Sequence, residues 1–387
     1  MSGSIIARAE KQEIFTKKMN KFKSFSSQVK GHLLRIYQYY RDKNLKNDRL
    51  TRAKRYFLPK QGHLTALEEV QKQEILDYWG TLVGDVKGLL GWFEFYNTYC
   101  EDKSKLKYYV PDSVFFTDID IPLTDPRRSY ELDDKNLYDL YFNDIRRPLT
   151  IVRKCNGALL DRDYQPLTVE RALALCREAG MVICKPARNS QGGKGIQFFD
   201  TATPDQEMRE RLEGSRDFIV QEVLHQHESL NRIHEKSINT VRIMTLFLDD
   251  EVHLLSSVLR MGRDGARVDN ASSGGIFCGI NADGTLKEVA YDTKGERWTQ
   301  HPQGAVFKDV QIAGFDKCCD LVRQLAGRFS TTSRMISWDL AIGEDGEPVV
   351  IEMNLTFGQV DFHQMCNGPI FGERTPELLA RLLSRER

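Results

Sequence analysis

This sequence has no long apolar run, no paired cysteines and no surplus of charge, and each absence removes a class of protein. None of its hydrophobic stretches reaches the ~18 residues of a membrane-spanning helix, and the first residues lack the apolar core of a secretory signal. Eight cysteines are scattered through 387 residues with no CxxC pair. That argues against a disulfide framework or a zinc site, and for free thiols in a reducing cytoplasm. Internal repeats and low-complexity tracts are missing, as is any Ser-His-Asp or Cys-His set spaced for nucleophilic catalysis. What remains is 41% hydrophobic and 28% charged, an ordinary globular composition with length for two or three domains.

Basic and acidic residues balance at 55 each, but unevenly. Residues 1–60 hold 16 Lys/Arg and 4 Asp/Glu, a net of +12, which leaves −12 on the rest. Such a segment could meet an anionic membrane surface, a glycan or nucleic acid, or could be the solvated face of helices. Phe22, Phe25, Tyr37, Tyr39 and Tyr40 are spaced for helix packing rather than base stacking. One or two amphipathic helices are expected here, with no nucleic-acid partner and with peripheral membrane association left open. Further on, Thr65 and Glu68 have capping-box spacing before a helix at 67–78. Residues 108–128 are rich in Pro and Asp and read as a connecting loop, and 134–142 as a helix.

The stretch from Trp338 to Asn354, WDLAIGEDGEPVVIEMN, reads as a β-hairpin turning at Asp345-Gly346. With that two-residue turn, Asp339 lies opposite Glu352, and Asn354 points to the same face. No arginine or lysine lies within the hairpin, so two carboxylates and an amide oxygen converge without an evident counter-charge. Like charges so placed repel unless a cation intervenes, and hard oxygen donors suit Mg²⁺. The alternative is an acidic hairpin at a sheet edge; the apolar Leu340, Ile342, Val350 and Ile351 favour an interior position.

Three further segments carry chemistry. Val182–Lys185 is an apolar strand ending in lysine, followed by a loop with Gly192, Gly193, Lys194 and Gly195. Small residues after a strand let backbone N–H groups approach phosphate, and a lysine at the end of an apolar strand is costly unless an anion meets it. The loop is not a Walker A motif, because Gly195 follows Lys194. Phe218–Leu224 is a strand suited to an adenine edge, or simply a central strand. Arg242 and Arg260 sit on otherwise apolar strands and need an anion, either phosphate or carboxylate from a ligand or an internal salt bridge.

Taken together, Lys185 with its glycine loop, the strand near Gln221 and the D…E-x-N hairpin resemble the ATP-grasp superfamily. The sugar-transfer-associated branch is the nearer likeness, through Tyr109-Val110-Pro111-Asp112, Asp134-Lys135-Asn136, Ser237–Arg242 and Val268-Asp269-Asn270 before Gly274-Gly275, over about residues 65–372. The resemblance implies an α+β ATP-grasp fold in which two α+β lobes grip ATP between antiparallel sheets. The divisions expected are a basic helical extension (1–64), a helical connecting lobe (65–150), a small lobe with a glycine-rich lid (151–230) and a C-terminal lobe (231–387). It also implies that Lys135 and Lys185 hold ATP phosphates and that Ser190, Gly192, Gly193 and Lys194 belong to the lid. Gln221, Glu222 and Leu224 would frame the adenine with Ile183 as a wall, and Glu228, or Glu222 instead, would take the ribose. Arg242, Arg260 and Lys194 would act on the transferring phosphoryl group, while Asp339, Glu352 and Asn354 would ligate two Mg²⁺.

The implied activity is a cytoplasmic, polysaccharide-linked carboxylate–amine ligase working through an acyl phosphate. Its partners would be a small-molecule or glycan-linked carboxylate and an amine or amino acid. An ATP-dependent phosphotransferase and a non-catalytic nucleotide-binding module are the alternatives. The stretch after the hairpin, including Gln359 and His363, is expected to line the acceptor pocket, with a packed histidine as the other option.

Overall fold

The computed structural model describes residues 43–51, 53–54, 64–83, 86–124, 126–188, 193, 195–269, 274–356 and 358–384. The chain divides into two compact units, 1–54 and 55–387. In the first, the described residues are helical, and the helices expected before residue 43 lie outside the described residues. All that follows concerns the second unit.

Two antiparallel sheets organise it. The smaller has the order β2-β1-β5-β3-β4, from β1 (Thr150–Cys155), β2 (Ala158–Leu160), β3 (Val182–Pro186), β4 (Gln197–Phe199) and β5 (Phe218–Glu222). The larger has the order β10-β9-β8-β7-β6-β11-β12. Its strands are β6 (Thr240–Leu248), β7 (Glu251–Met261), β8 (Ile276–Ile280), β9 (Leu286–Asp292), β10 (Arg297–Trp298), β11 (Met335–Ile342) and β12 (Pro348–Asn354). Helices and two antiparallel sheets make the unit α+β, as expected.

The helices follow local chemistry. Helix α1 (Glu69–Gly80) is opened by a capping box, but three residues later than expected: Glu68 and Gln71 form it, with Gln71 Oε1 accepting from the Glu68 N–H at 2.9 Å. Helix α2 (Leu90–Tyr99) buries Trp92, Phe93, Phe95, Tyr96 and Tyr99. Most of residues 108–128 is not the loop that its Pro and Asp content suggested. Short helical turns run over Asp112–Val114, Phe115–Ile119, Asp120–Leu123 and Pro126–Leu132, because Val114, Phe115, Phe116, Ile119 and Leu123 all need burial. The expected helix at 134–142 is broken into Lys135–Leu137 and Tyr138–Tyr141.

Helix α3 (Val169–Glu178), capped by Thr168, and helix α4 (Asp205–Glu213) cover the small sheet over Val182, Cys184, Phe218 and Val220. Helix α5 (Phe315–Phe329) repeats apolar residues at Cys318, Val322, Leu325 and Phe329 and packs on one face of the large sheet. Helix α6 (Asp361–Asn367) lies on the opposite face, where Phe362 meets Phe277. All eight cysteines are free. Among the described residues no helix is long and apolar enough to cross a membrane.

The hairpin of β11 and β12 differs from its expected form in two ways that cancel. Its turn is a three-residue loop, since Gly343 N–H donates to Glu347 O (2.9 Å) and Gly346 adopts φ +76°, the left-handed position that closes such loops. That moves the pairing near the turn to Ile342↔Pro348 and Leu340↔Val350. A register shift between Leu340 and Asp339, which skips Ile351, then restores Asp339↔Glu352 and Ser337↔Asn354.

Trp338, between Ser337 and Asp339, is fully buried against α5, with its ring 6.3 Å from Phe329 and Nε1 donating to Thr245 Oγ1 at 3.0 Å. Trp338→Ala is expected to destabilise the unit by about 3–5 kcal/mol, read as a lowered midpoint in chemical denaturation with unchanged slope.

Candidate functional site

A cleft of roughly 360 Å³ opens between the two sheets. One wall comes from the alternation of β3 in the small sheet: Val182 and Cys184 turn into the core under α3 and α4, while Ile183 and Lys185 turn into the cleft. Phe198, Glu222, Val223 and Leu224 extend that wall, and Thr240, Arg260, Asp269, Asp339 and Glu352 form the facing one.

Lys185 is half-buried on the cleft wall, and among the described residues no carboxylate pairs with it. Loss of solvent around the ammonium lowers its pKa to about 8, and the nearby charges of Lys135 and Arg147 add to this while Glu352 opposes it. Lys135 is buried and satisfied, with Nζ 2.7 Å from Glu352 Oε1. Its segment is anchored to the end of β3, because Lys135 N–H donates to Ala187 O (3.0 Å) and Asn136 Nδ2 donates to Lys154 O (2.8 Å). Beside this pair, burial pushes Asp133 up to about 6 despite Lys135; nothing in its sequence context marked that residue.

Asp339 is the hub. Cross-strand pairing on its two sides gives it Glu352 on β12 and Arg242 on β6. Arg242 donates through Nε to Oδ1 and through Nη2 to Oδ2, each at 2.6 Å. Arg260 Nη1 reaches Oδ2 at 3.3 Å and Asn354 Nδ2 at 3.2 Å. Burial opposes ionisation of Asp339, but Arg242 and Arg260 hold its carboxyl below the usual carboxylate range. The expectation that these carboxylates meet without a counter-charge is therefore corrected. The hairpin lacks basic residues, but β6, β7 and the 135 segment supply three. The internal ion pair, given above as an alternative for Arg242 and Arg260, is what the fold contains.

Repulsion thus gives no reason for a resident metal, and among the described residues no cluster of three or more His, Cys, Asp or Glu could hold one. The donor set does fit Mg²⁺ shared with phosphate: two carboxylates on the cleft and an asparagine whose Nδ2 is spent on Ser337 O and Asp339, leaving its oxygen to accept.

The remaining expected residues divide. Ile183, Glu222, Leu224 and Gly193 line the cleft, whereas Ser190, Gly192 and Lys194 lie outside the described residues. Gln221 is buried, with Nε2 donating to Pro148 O at 3.4 Å. The Glu222 carboxylate accepts from Leu149 N–H at 2.9 Å. Glu228 does not face the cleft; it is exposed at the start of a short helix and paired with Arg232. The carboxylates beside the hinge that do line it are Glu222, Glu235 and Glu344.

His363 is fully buried with Nδ1 2.8 Å from Ser256 Oγ, and burial together with Arg242 pushes its pKa down to about 3. It is the packed, neutral histidine, not an exposed substrate ligand. Cleft residues passed over in the sequence include Arg267, whose guanidinium lies 3.9 Å from the Phe198 ring across the cleft, and Lys236. Asp269, quoted only as part of a motif, sits 3.5 Å from Arg260.

The sequence matches the family described as sugar-transfer associated ATP-grasp over residues 121–378, more than half of the chain. A search of curated protein sequences found no match. Similar solved structures include D-alanyl-alanine synthetase A from Vibrio cholerae O1 biovar eltor str. N16961, at 12% identity and TM-score 0.42, covering 68% of this chain and 67% of that one. The ATP-grasp ligase PsnB complexed with minimal precursor, Mg and ADP is similar at 15% identity and TM-score 0.38, covering 68% and 62%. The L-amino acid ligase from Bacillus licheniformis is similar at 15% identity and TM-score 0.34, covering 61% and 43%. The chain thus spans less than two thirds of the second of these and less than half of the third.

The state of Lys185 has a measurable consequence. Its free-state pKa of about 8 rises when a phosphate pairs with it, so binding above pH 8 must take up a proton. Nucleotide affinity is expected to be level below pH 8 and to fall from pH 8 towards 10. Lys185→Met should lose about 1.5–3 kcal/mol of binding, roughly ten- to hundredfold, together with that pH dependence. Calorimetry in buffers of different ionisation enthalpy checks both.

Proposed function

The chain belongs to the sugar-transfer associated ATP-grasp family, and from that premise we propose that it is an ATP-dependent carboxylate–amine ligase acting on a glycan-linked or sugar-acid carboxylate. The observation that carries this proposal is the gathering of Lys135, Lys185, Arg260, Asp339 and Glu352 around one cleft between two sheets. A half-buried lysine with no carboxylate partner among the described residues, facing a cluster of ion pairs, is suited to receive a polyanion.

In this proposal the adenine lies along Glu222–Leu224, with Ile183 against its face, and the triphosphate runs towards the large sheet. Lys185, without a carboxylate partner among the described residues, meets a phosphate oxygen. Lys135 exchanges Glu352 for a phosphate oxygen, and Arg260 turns part of its donor set from Asp339 to the transferring group. Asp339, Glu352 and Asn354 are the residues that would hold Mg²⁺, a pair of ions matching the charge of a fully ionised triphosphate. A bound ion would neutralise phosphate charge and polarise the phosphoryl group.

The substrate carboxylate oxygen attacks the γ-phosphorus as the bond to the ADP oxygen breaks, leaving an acyl phosphate. The amine nitrogen then attacks the acyl carbon; the carbon–oxygen bond to phosphate breaks and the nitrogen sheds a proton. Burial of the ion-pair cluster keeps water from competing for the acyl phosphate. The eight free thiols fit a reducing compartment such as the cytoplasm.

The test is product analysis with ATP, Mg²⁺ and a panel of sugar acids and amines. ADP and phosphate released only when acid and amine are both present is the expected result. A phosphorylated acceptor formed without amine would replace the ligase with a phosphotransferase, and nucleotide binding without turnover would leave a binding module. Glu352→Gln should lower kcat by roughly 10²–10³-fold with an unchanged circular dichroism spectrum; an active variant would remove Glu352 from the site.

A further inference from the structure

A second cavity, of about 960 Å³, lies away from the first. Strand register locates it. Arg260 pairs with Phe277 and Phe277 with Tyr291, so the three share one face in a row across β7, β8 and β9. Neighbouring strands are about 4.8 Å apart, which puts the backbone of Tyr291 roughly 10 Å from that of Arg260. Helix α6 crosses this row and separates the two spaces. Its Phe362 ring packs 5.3 Å from Phe277 and lies 5.8 Å from the Arg242 guanidinium. One turn later Met365 and Asn367 line the second cavity.

The walls are preformed. Tyr99 donates through its hydroxyl to Gly295 O at 3.2 Å and meets Tyr291 edge-on at 5.3 Å. Gln364 on α6 accepts from Val110 N–H and donates to Val110 O, both at 2.9 Å. Lys287 Nζ donates to Cys366 O at 2.9 Å. Strand alternation sets Lys287, Val289 and Tyr291 on the cavity side of β9.

The lining chemistry narrows the occupant. Four tyrosines are interspersed with three lysines and four carboxylates. A polyanion such as a nucleotide would meet more negative than positive charge, and an apolar ligand would strand the charged groups without water. Amphipathic rings among mixed donors and acceptors suit a ligand with C–H faces and hydroxyls all round. We propose that this cavity binds a saccharide, at a site separate from the cleft between the sheets.

The test is saturation-transfer difference NMR on the full chain with glucose, galactose, N-acetylglucosamine, glucuronic acid and their disaccharides, with ATP-analogue binding measured on the same samples. At least one saccharide should give saturation transfer. Val289→Trp, which fills the cavity from a half-buried strand position, should abolish the signal while nucleotide affinity stays within about twofold. Lys308→Ala, at the exposed rim, should weaken saccharide binding at least threefold and guards against misfolding of the tryptophan variant. No binding across the panel, or a signal indifferent to both variants, overturns the pocket; intact nucleotide binding in that case leaves the ligase proposal standing. Saccharide binding without nucleotide binding upholds the pocket and removes the ligase.

Discussion

The buried carboxylate of Asp339, clamped by Arg242 and touched by Arg260 and Asn354, is the constraint on which the cleft depends. Burying an ion pair costs several kcal/mol of desolvation per ion, and the attraction recovers this only with good geometry and further hydrogen bonds. Here the bidentate fork of Arg242 provides the geometry, and strand pairing on both sides of β11 holds the partners in register. A hydrophobic row at this place would fold as well or better. The pairs are therefore better explained by what the cleft must bind than by stability.

Charge around the cleft is arranged in two states of satisfaction. Lys135, Arg242 and Arg260 have carboxylate partners, whereas Lys185, half-buried on the opposite wall, has none among the described residues. A lysine left this way loses part of its charge, which is why its pKa falls towards neutrality. An incoming triphosphate would satisfy it and at the same time compete with Glu352 for Lys135. The same phosphate charge frees a carboxylate and makes a divalent ion welcome where it would otherwise face surplus positive charge.

Local pattern made much of this legible. The alternation of β3, the helix period of 315–329 and the D…E-x-N spacing each report a face, and the faces proved to be those the fold uses. Where sequence reasoning failed, a non-local demand had overridden a local cue. Residues 108–128 look like loop by composition, but five large apolar side chains there find a core and form helical turns. Glu228 has suitable spacing from the hinge, but a short helix carries it outward to Arg232. The hairpin gave the right pair through a wrong turn, because a three-residue loop and a skipped Ile351 shift the register in opposite senses.

By itself the sequence determined the α+β class, the family likeness and the pairing that sets Asp339 opposite Glu352, because strand periodicity and short spacings are properties of a few consecutive residues. Only the tertiary structure decided that those carboxylates are already paired with Lys135, Arg242 and Arg260, that Lys185 has no carboxylate partner among the described residues, and that a second cavity stands behind α6. Each of these depends on which strands lie side by side, and partners 97 or 217 positions apart, such as Arg242 with Asp339 or Lys135 with Glu352, leave no trace in local pattern.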